Sequence, residues 1–147
     1  MPLNIRRIVT GHDAAGKAVV TTDEILPSTK LRSGNEQSLI WLTDETPVDL
    51  SKTDDPTSRE VDIEPPEAGS IFRILEVLPG KEAYMHATAT IDYAVVLEGE
   101  ATMLLDDSEV VMGPGEVMVQ RATNHGWTNR TDKRCRIAFV LIGVTVA

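Results

Sequence analysis

From Ile71 onward, short apolar runs alternate with turn residues: IFRILEVL, PGKE, MHATATIDYAVVLEGE, ATMLLDD, SEVVM, GPGE, VMVQRATNHGW, TNRTDKR and CRIAFVLIGV. Runs recur roughly every 8 to 12 residues, with Val, Ile and Leu inside them and Gly, Pro, Asp and Asn at the breaks. No long stretch repeats its apolar positions at helical spacing. The rhythm predicts an all-β domain, best drawn as an antiparallel double-sheet barrel of the jelly-roll kind. Ahead of it, Arg6 to Thr10 and Lys17 to Thr22 read as two strands around the Gly11–Gly16 turn, and Ser38 to Thr43 as a third. Between residues 44 and 69 the pattern lapses. Four prolines (Pro47, Pro56, Pro65, Pro66) and few apolar anchors predict a long surface loop there. The chain thus divides into N-terminal strands (1–43) packing on or swapped onto a barrel, an acidic loop (44–69) and the barrel core (70–147).

A length of 147 residues with 41% apolar side chains suits one domain with a real core. Aromatic residues are only 4%, so aliphatic packing must close it. Charge narrows the partners. Lys and Arg total 14 against 23 Asp and Glu, a formal net charge of -9. A nucleic-acid backbone or an anionic membrane needs clustered cations, so neither is an expected partner. From Asp44 to Glu67 nine acids face two bases (Lys52, Arg59), so this segment carries -7 and the remainder is close to neutral. Cys135 is the lone cysteine, which forbids an intramolecular disulfide, and its apolar setting reads as a small buried hydrophobe. MPLNIRRIVTG lacks the apolar core of a secretion signal, and IAFVLIGVTVA is too short to span a bilayer. A cytoplasmic protein is expected, and the sequon at Asn129 is read as chance.

The chemistry concentrates in two stretches. In MHATATIDYAVVLEGE, side chains two apart share one face of an extended strand, so His86, Thr88, Thr90 and Asp92 line up together. Such a polar row on the inner face of a β-domain lines either a pocket or a solvated surface. Gly80, His86, Thr88, Asp92 and Gly99 stand at a spacing that resembles the first signature of the cupin family. GPGEVMVQRATNHGWTN resembles the second, through Gly115, His125 and Asn129. The resemblance covers about residues 71 to 142. It implies the cupin barrel, extra N-terminal strands, a homodimer, and a divalent metal held by His86, Asp92 and His125. Iron, zinc, manganese and nickel all suit two imidazoles and a carboxylate.

Three departures bear on that metal. Thr88 stands where the family has its second histidine, and threonine does not replace an imidazole. Asp92 stands where the family has glutamate, one methylene longer. The second stretch is one residue short between Gly115 and His125, with Gln120-Arg121-Ala122-Thr123 in place of the usual proline and glycine. A metal-free site is equally coherent. His125 would then move protons near neutral pH, Asp92 would orient it or act as base, and Thr88 and Thr90 would hold a substrate hydroxyl or carbonyl. Arg121 is placed to receive a substrate anion, and Tyr84, Met103 and Trp127 are candidate apolar walls. His12 reads as surface.

A small enzyme of lyase or isomerase type follows, such as a dehydratase, decarboxylase or epimerase, with His125, His86 and Asp92 as catalytic groups acting on a compact oxygenated molecule. A metal-dependent dioxygenase and a non-catalytic small-molecule binder are the alternatives.

Overall fold

The computed structural model describes residues 3–58 and 64–145. Among these, the one helical piece is a 3-10 turn at Pro56–Ser58. The strands are β1 (Ile5–His12), β2 (Ala18–Leu26), β3 (Thr29–Lys30), β4 (Glu36–Thr43), β5 (Ser70–Val77), β6 (Thr90–Glu98), β7 (Ala101–Leu104), β8 (Glu109–Met112), β9 (Val117–Arg121), β10 (Gly126–Thr128) and β11 (Cys135–Gly143). β1 and β2 form a ribbon of their own. A six-stranded sheet runs β3-β4-β5-β11-β6-β9 and faces a smaller sheet, β10-β7-β8. Every strand pair is antiparallel. This is the all-β double-sheet barrel that the strand rhythm predicted. The predicted N-terminal strands are present too, and β4 pairs with β5 along its length, so the large sheet draws on the segment before the acidic loop.

The period-2 pattern decides which residues fill the barrel. On β6, Ala94 and Val96 are buried while Tyr93, Val95 and Leu97 face out. On β11, Ile137, Phe139 and Leu141 turn inward from the register opposite β6. They meet Met103, Met112 and Trp127 from the smaller sheet in one apolar cluster. The Trp127 and Phe139 rings pack edge to face with centroids 5.8 Å apart. Each such side chain contributes roughly 1.5–3 kcal/mol on burial. Gly99 turns β6 into β7 at φ +76°, and a Cβ there would come within 2.2 Å of the Arg134 carbonyl oxygen. Cys135 is fully buried, and burial pushes its thiol up to about 11, which fits the reading of it as a small hydrophobe.

Arg7 fastens the ribbon to the rest. It is 3% exposed, although it is an arginine. Its guanidinium pairs with Glu24 of β2 and with Asp55 of the acidic loop, each at 2.5 Å. The same group donates to the Ile40 carbonyl and the Thr57 hydroxyl, both at 3.1 Å, and lies 5.9 Å from the Trp41 ring centroid. The loop's described portion up to Ser58 is mostly exposed, as expected of its composition; residues 59–63, which carry Arg59, Glu60 and Asp62, lie outside the described residues.

Candidate functional site

The row expected from the sequence lines one wall of the barrel. Thr88, Thr90 and Asp92 are buried and His86 half-buried. Thr88 and Thr90 share a hydrogen bond of 2.8 Å between their hydroxyls, and Thr90 donates onward to Asp92 Oδ1 at 2.6 Å. β6 is where this wall becomes regular sheet. Before it, His86 stands in an isolated antiparallel bridge with His125, each backbone N–H donating to the other's carbonyl at 2.9 Å. A pair that exchanges both bonds sends its side chains to the same side. The two imidazoles therefore face each other, with ring centroids 4.5 Å apart.

Both rings are held in one tautomer. His86 Nδ1 lies 2.9 Å from the Tyr84 carbonyl and His125 Nδ1 lies 2.9 Å from that of Thr123, in each case two residues earlier. A carbonyl oxygen only accepts, so both Nδ1 atoms carry a proton, and in the neutral ring Nε2 keeps its lone pair. His86 Nε2 makes no hydrogen bond among the described residues. His125 Nε2 is engaged by Gln120 Nε2 at 3.2 Å.

Gln120 is a residue that the sequence reading passed over. Its Nε2 also lies 3.0 Å from Asp92 Oδ2, so one amide nitrogen joins the carboxyl group to the imidazole. Its Oε1 is buried and accepts nothing. Gln120 sits opposite Asp92 across the β6–β9 pair, so both face inward. The chain then breaks. Ala122 adopts φ +54°, its N–H donating to the Thr90 carbonyl, before the chain re-enters extended geometry at His125. Five residues along a continuous strand would put Gln120 and His125 on opposite faces. The left-handed residue between them resets the alternation.

The same break corrects the expectation for Arg121. Four residues before His125 on one strand, it would share the pocket face. In the structure it is exposed on the other side of β9 from Gln120. Arg73 of β5 is the arginine on the inner face: it stands opposite Phe139 and Leu39 in the register and donates from Nη1 to Gln37 Oε1 at 3.2 Å. Tyr84 is 67% exposed and stacks on His86 at 5.3 Å, a rim residue rather than a wall. Trp127 and Met103 belong to the core cluster. His12 is exposed at the end of β1.

Electrostatics follow from burial. Desolvation raises the Asp92 carboxyl pKa from its ordinary value, against the opposing pull of the Thr90 hydrogen bond, His125, Arg73 and Gln120. Desolvation also lowers the His125 pKa, with the Thr123 carbonyl acting the other way. Arg73 is lowered by the same cause, offset by Asp92. The site thus favours a neutral His125, while Thr90 and Gln120 donate into both oxygens of Asp92.

A divalent ion finds a poor fit. Among the described residues, no group of three or more His, Cys, Asp and Glu side chains is gathered to hold a metal. Both Asp92 oxygens are engaged, by Thr90 and Gln120, and the lone pair of His125 Nε2 faces the Gln120 amide. Thr88, at the place of the missing histidine, is tied to Thr90.

Comparison with known proteins accords with the fold. Residues 73–142 match the cupin domain family. The chain is 38% identical over 145 residues to phomopsin biosynthesis cluster protein C' of Diaporthe leptostromiformis, covering 92% of this chain and 77% of that protein. It is 34% identical to the cupin-domain-containing oxidoreductase fogC of Aspergillus ruber, covering 92% of this chain and 71% of that one. A crystal structure of an RmlC-like cupin from Shewanella frigidimarina superposes with a TM-score of 0.55 at 14% identity, over 81% of this chain and 85% of that one, a likeness of fold.

Proposed function

The chain belongs to the cupin-2 family, and on that premise we propose that its barrel is a small enzyme that moves a proton on a compact oxygenated molecule, in the manner of a lyase or isomerase. The observation that carries this reading is the pair of facing imidazoles, each with Nδ1 committed to a backbone carbonyl and thus each with Nε2 set toward its task. His86 Nε2, which has no partner among the described residues, is the base that meets the substrate. It takes a proton from carbon or oxygen, and the ring becomes an imidazolium still anchored by its Nδ1–H. His125, kept neutral by burial, avoids placing a second positive charge beside that imidazolium. The His86 imidazolium then returns that proton to a leaving hydroxyl or a developing enolate, while Asp92, accepting from Thr90 and Gln120, holds the Gln120 amide against His125.

A second reading, redox chemistry at the same residues, is favoured by a specific finding: the relative fogC is named an oxidoreductase. One experiment separates the two. A panel of small hydroxy-carbonyl compounds is incubated with the protein in D2O, without added metal or oxidant, and followed by NMR. Proton transfer predicts deuterium incorporation, dehydration or isomerisation that is lost in His86→Gln. Turnover that appears only with an added electron acceptor or with oxygen consumption would reject proton transfer in favour of the redox reading.

A further inference from the structure

We infer that Gln120 occupies the role that a metal has in the family's barrels: its amide nitrogen locks Asp92 to His125, and its carbonyl oxygen is the acceptor for a hydroxyl group of the ligand. The first half rests on the hydrogen-bond pattern. A primary amide nitrogen has two hydrogens. One is directed to Asp92 Oδ2 at 3.0 Å and the other to His125 Nε2 at 3.2 Å. These are the lone pairs that an ion held by His86, Asp92 and His125 would need. With Asp92 Oδ1 taken by Thr90 and Thr88 committed to that same hydroxyl, the wall forms a continuous chain: Thr88, Thr90, Asp92, Gln120, His125, Thr123 carbonyl.

The second half rests on the other arm of the amide. Gln120 is 3% exposed, and its Oε1 is buried with no hydrogen-bond partner. Buried polar atoms are nearly always paired, and one left unpaired costs on the order of 1–3 kcal/mol. The nitrogen arm cannot rotate to relieve the oxygen, because a carboxylate and an imidazole lone pair both require donors. Its partner must be a donor, a place for which a ligand hydroxyl competes with water. An alcohol, enol or hydroxy-carbonyl supplies one; an ether or a simple ketone does not. This deepens the proposed reading, since it names the ligand class of the same site, but it is tested by binding and does not depend on turnover.

Two titrations decide it. In the first, Zn2+, Mn2+, Ni2+ and anaerobic Fe2+ are titrated into the protein by calorimetry. Wild type is expected to show no saturable site, whereas Gln120→Glu, which turns the amide into a further ligand beside His86, Asp92 and His125, gains a one-equivalent site at least about tenfold tighter. Gln120→Ala, which only removes the wedge, is the second variant, with circular dichroism as the check of fold for both, and is expected to gain affinity over wild type. One equivalent of metal on wild type, lost in both His86→Ala and His125→Ala, overturns the inference; so does a folded Gln120→Glu or Gln120→Ala that binds no better than wild type. In the second, hydroxyacetone and methoxyacetone, which differ in the donor hydroxyl, are compared by chemical-shift titration. Wild type is expected to prefer hydroxyacetone by about tenfold, and Gln120→Met to lose that preference. Equal binding of the two by wild type, or binding of neither, overturns the hydroxyl assignment. Failure of proton transfer in the D2O experiment would leave both titrations standing.

Discussion

Arg7→Met tests whether the ribbon is held to the barrel by one buried cation. Methionine keeps most of the side-chain stem and removes the guanidinium. The structure sets the size of the loss. Asp55 is depressed from 3.8 to about 2, with the Arg7 hydrogen bond as the largest cause. At ~1.36 kcal/mol per pH unit the whole depression corresponds to at most about 2 kcal/mol. Two discounts apply. Asp55 is 42% exposed and screened by water, and its bonds to Thr57 survive the substitution. That leaves about 1 kcal/mol from the Asp55 pair. The bonds to Ile40 and Thr57 and the contact with Trp41 bring the expected loss to about 2 kcal/mol, partly offset because a buried charge no longer needs desolvation. Urea unfolding near neutral pH measures it directly. Asp55 also gives the loss a pH signature. Its folded value is depressed, so its contribution is present above 3.8 and is lost as pH falls toward about 2. Near pH ~3 about half of that component has gone, and the gap between wild type and variant should narrow accordingly. A loss below about 0.5 kcal/mol at neutral pH, or one that does not change on acidification, would refute the clamp.

Two further outcomes follow from the site. His125 has a folded pKa below its ordinary 6.5, so the unfolded chain takes up the proton first; stability is full above 6.5 and lost as pH falls below it. His125→Asn should therefore show a flatter fall in melting temperature below that value than wild type, and an unchanged slope would exclude a buried neutral imidazole; Asp92, raised, acts with the opposite sign in its own window above 3.8. Ala122 holds φ +54°, so Ala122→Gly should be neutral or slightly stabilising, within about 1 kcal/mol, while the β-branched Ala122→Val should cost at least about 1–2 kcal/mol in urea unfolding. Equal stability of the two variants would mean that the left-handed turn is not required.

Much of this protein was legible in its sequence because strand alternation is a local property. The run from His86 to Asp92 announced a polar wall, since side chains two apart share a face whatever lies opposite, and the spacing of apolar runs announced a barrel of antiparallel strands. The lone cysteine also read correctly, from burial propensity. What the chain alone left undecided depended on a single backbone angle. VMVQRATNHGW reads as one strand, which places Arg121 with His125 and puts Gln120 on the far side. The left-handed Ala122, fixed by its bond to Thr90, ends β9 and lets the chain re-enter at the His86–His125 bridge, so Gln120 turns in and Arg121 out. Arg73 was hidden for a related reason: an arginine in an apolar strand gives no local sign of which face it takes, and only the register of β5 against β4 and β11 directs it inward. Local periodicity therefore fixed the wall of the site, whereas the partners that close it came from strand register and one positive φ, which are properties of the assembled barrel.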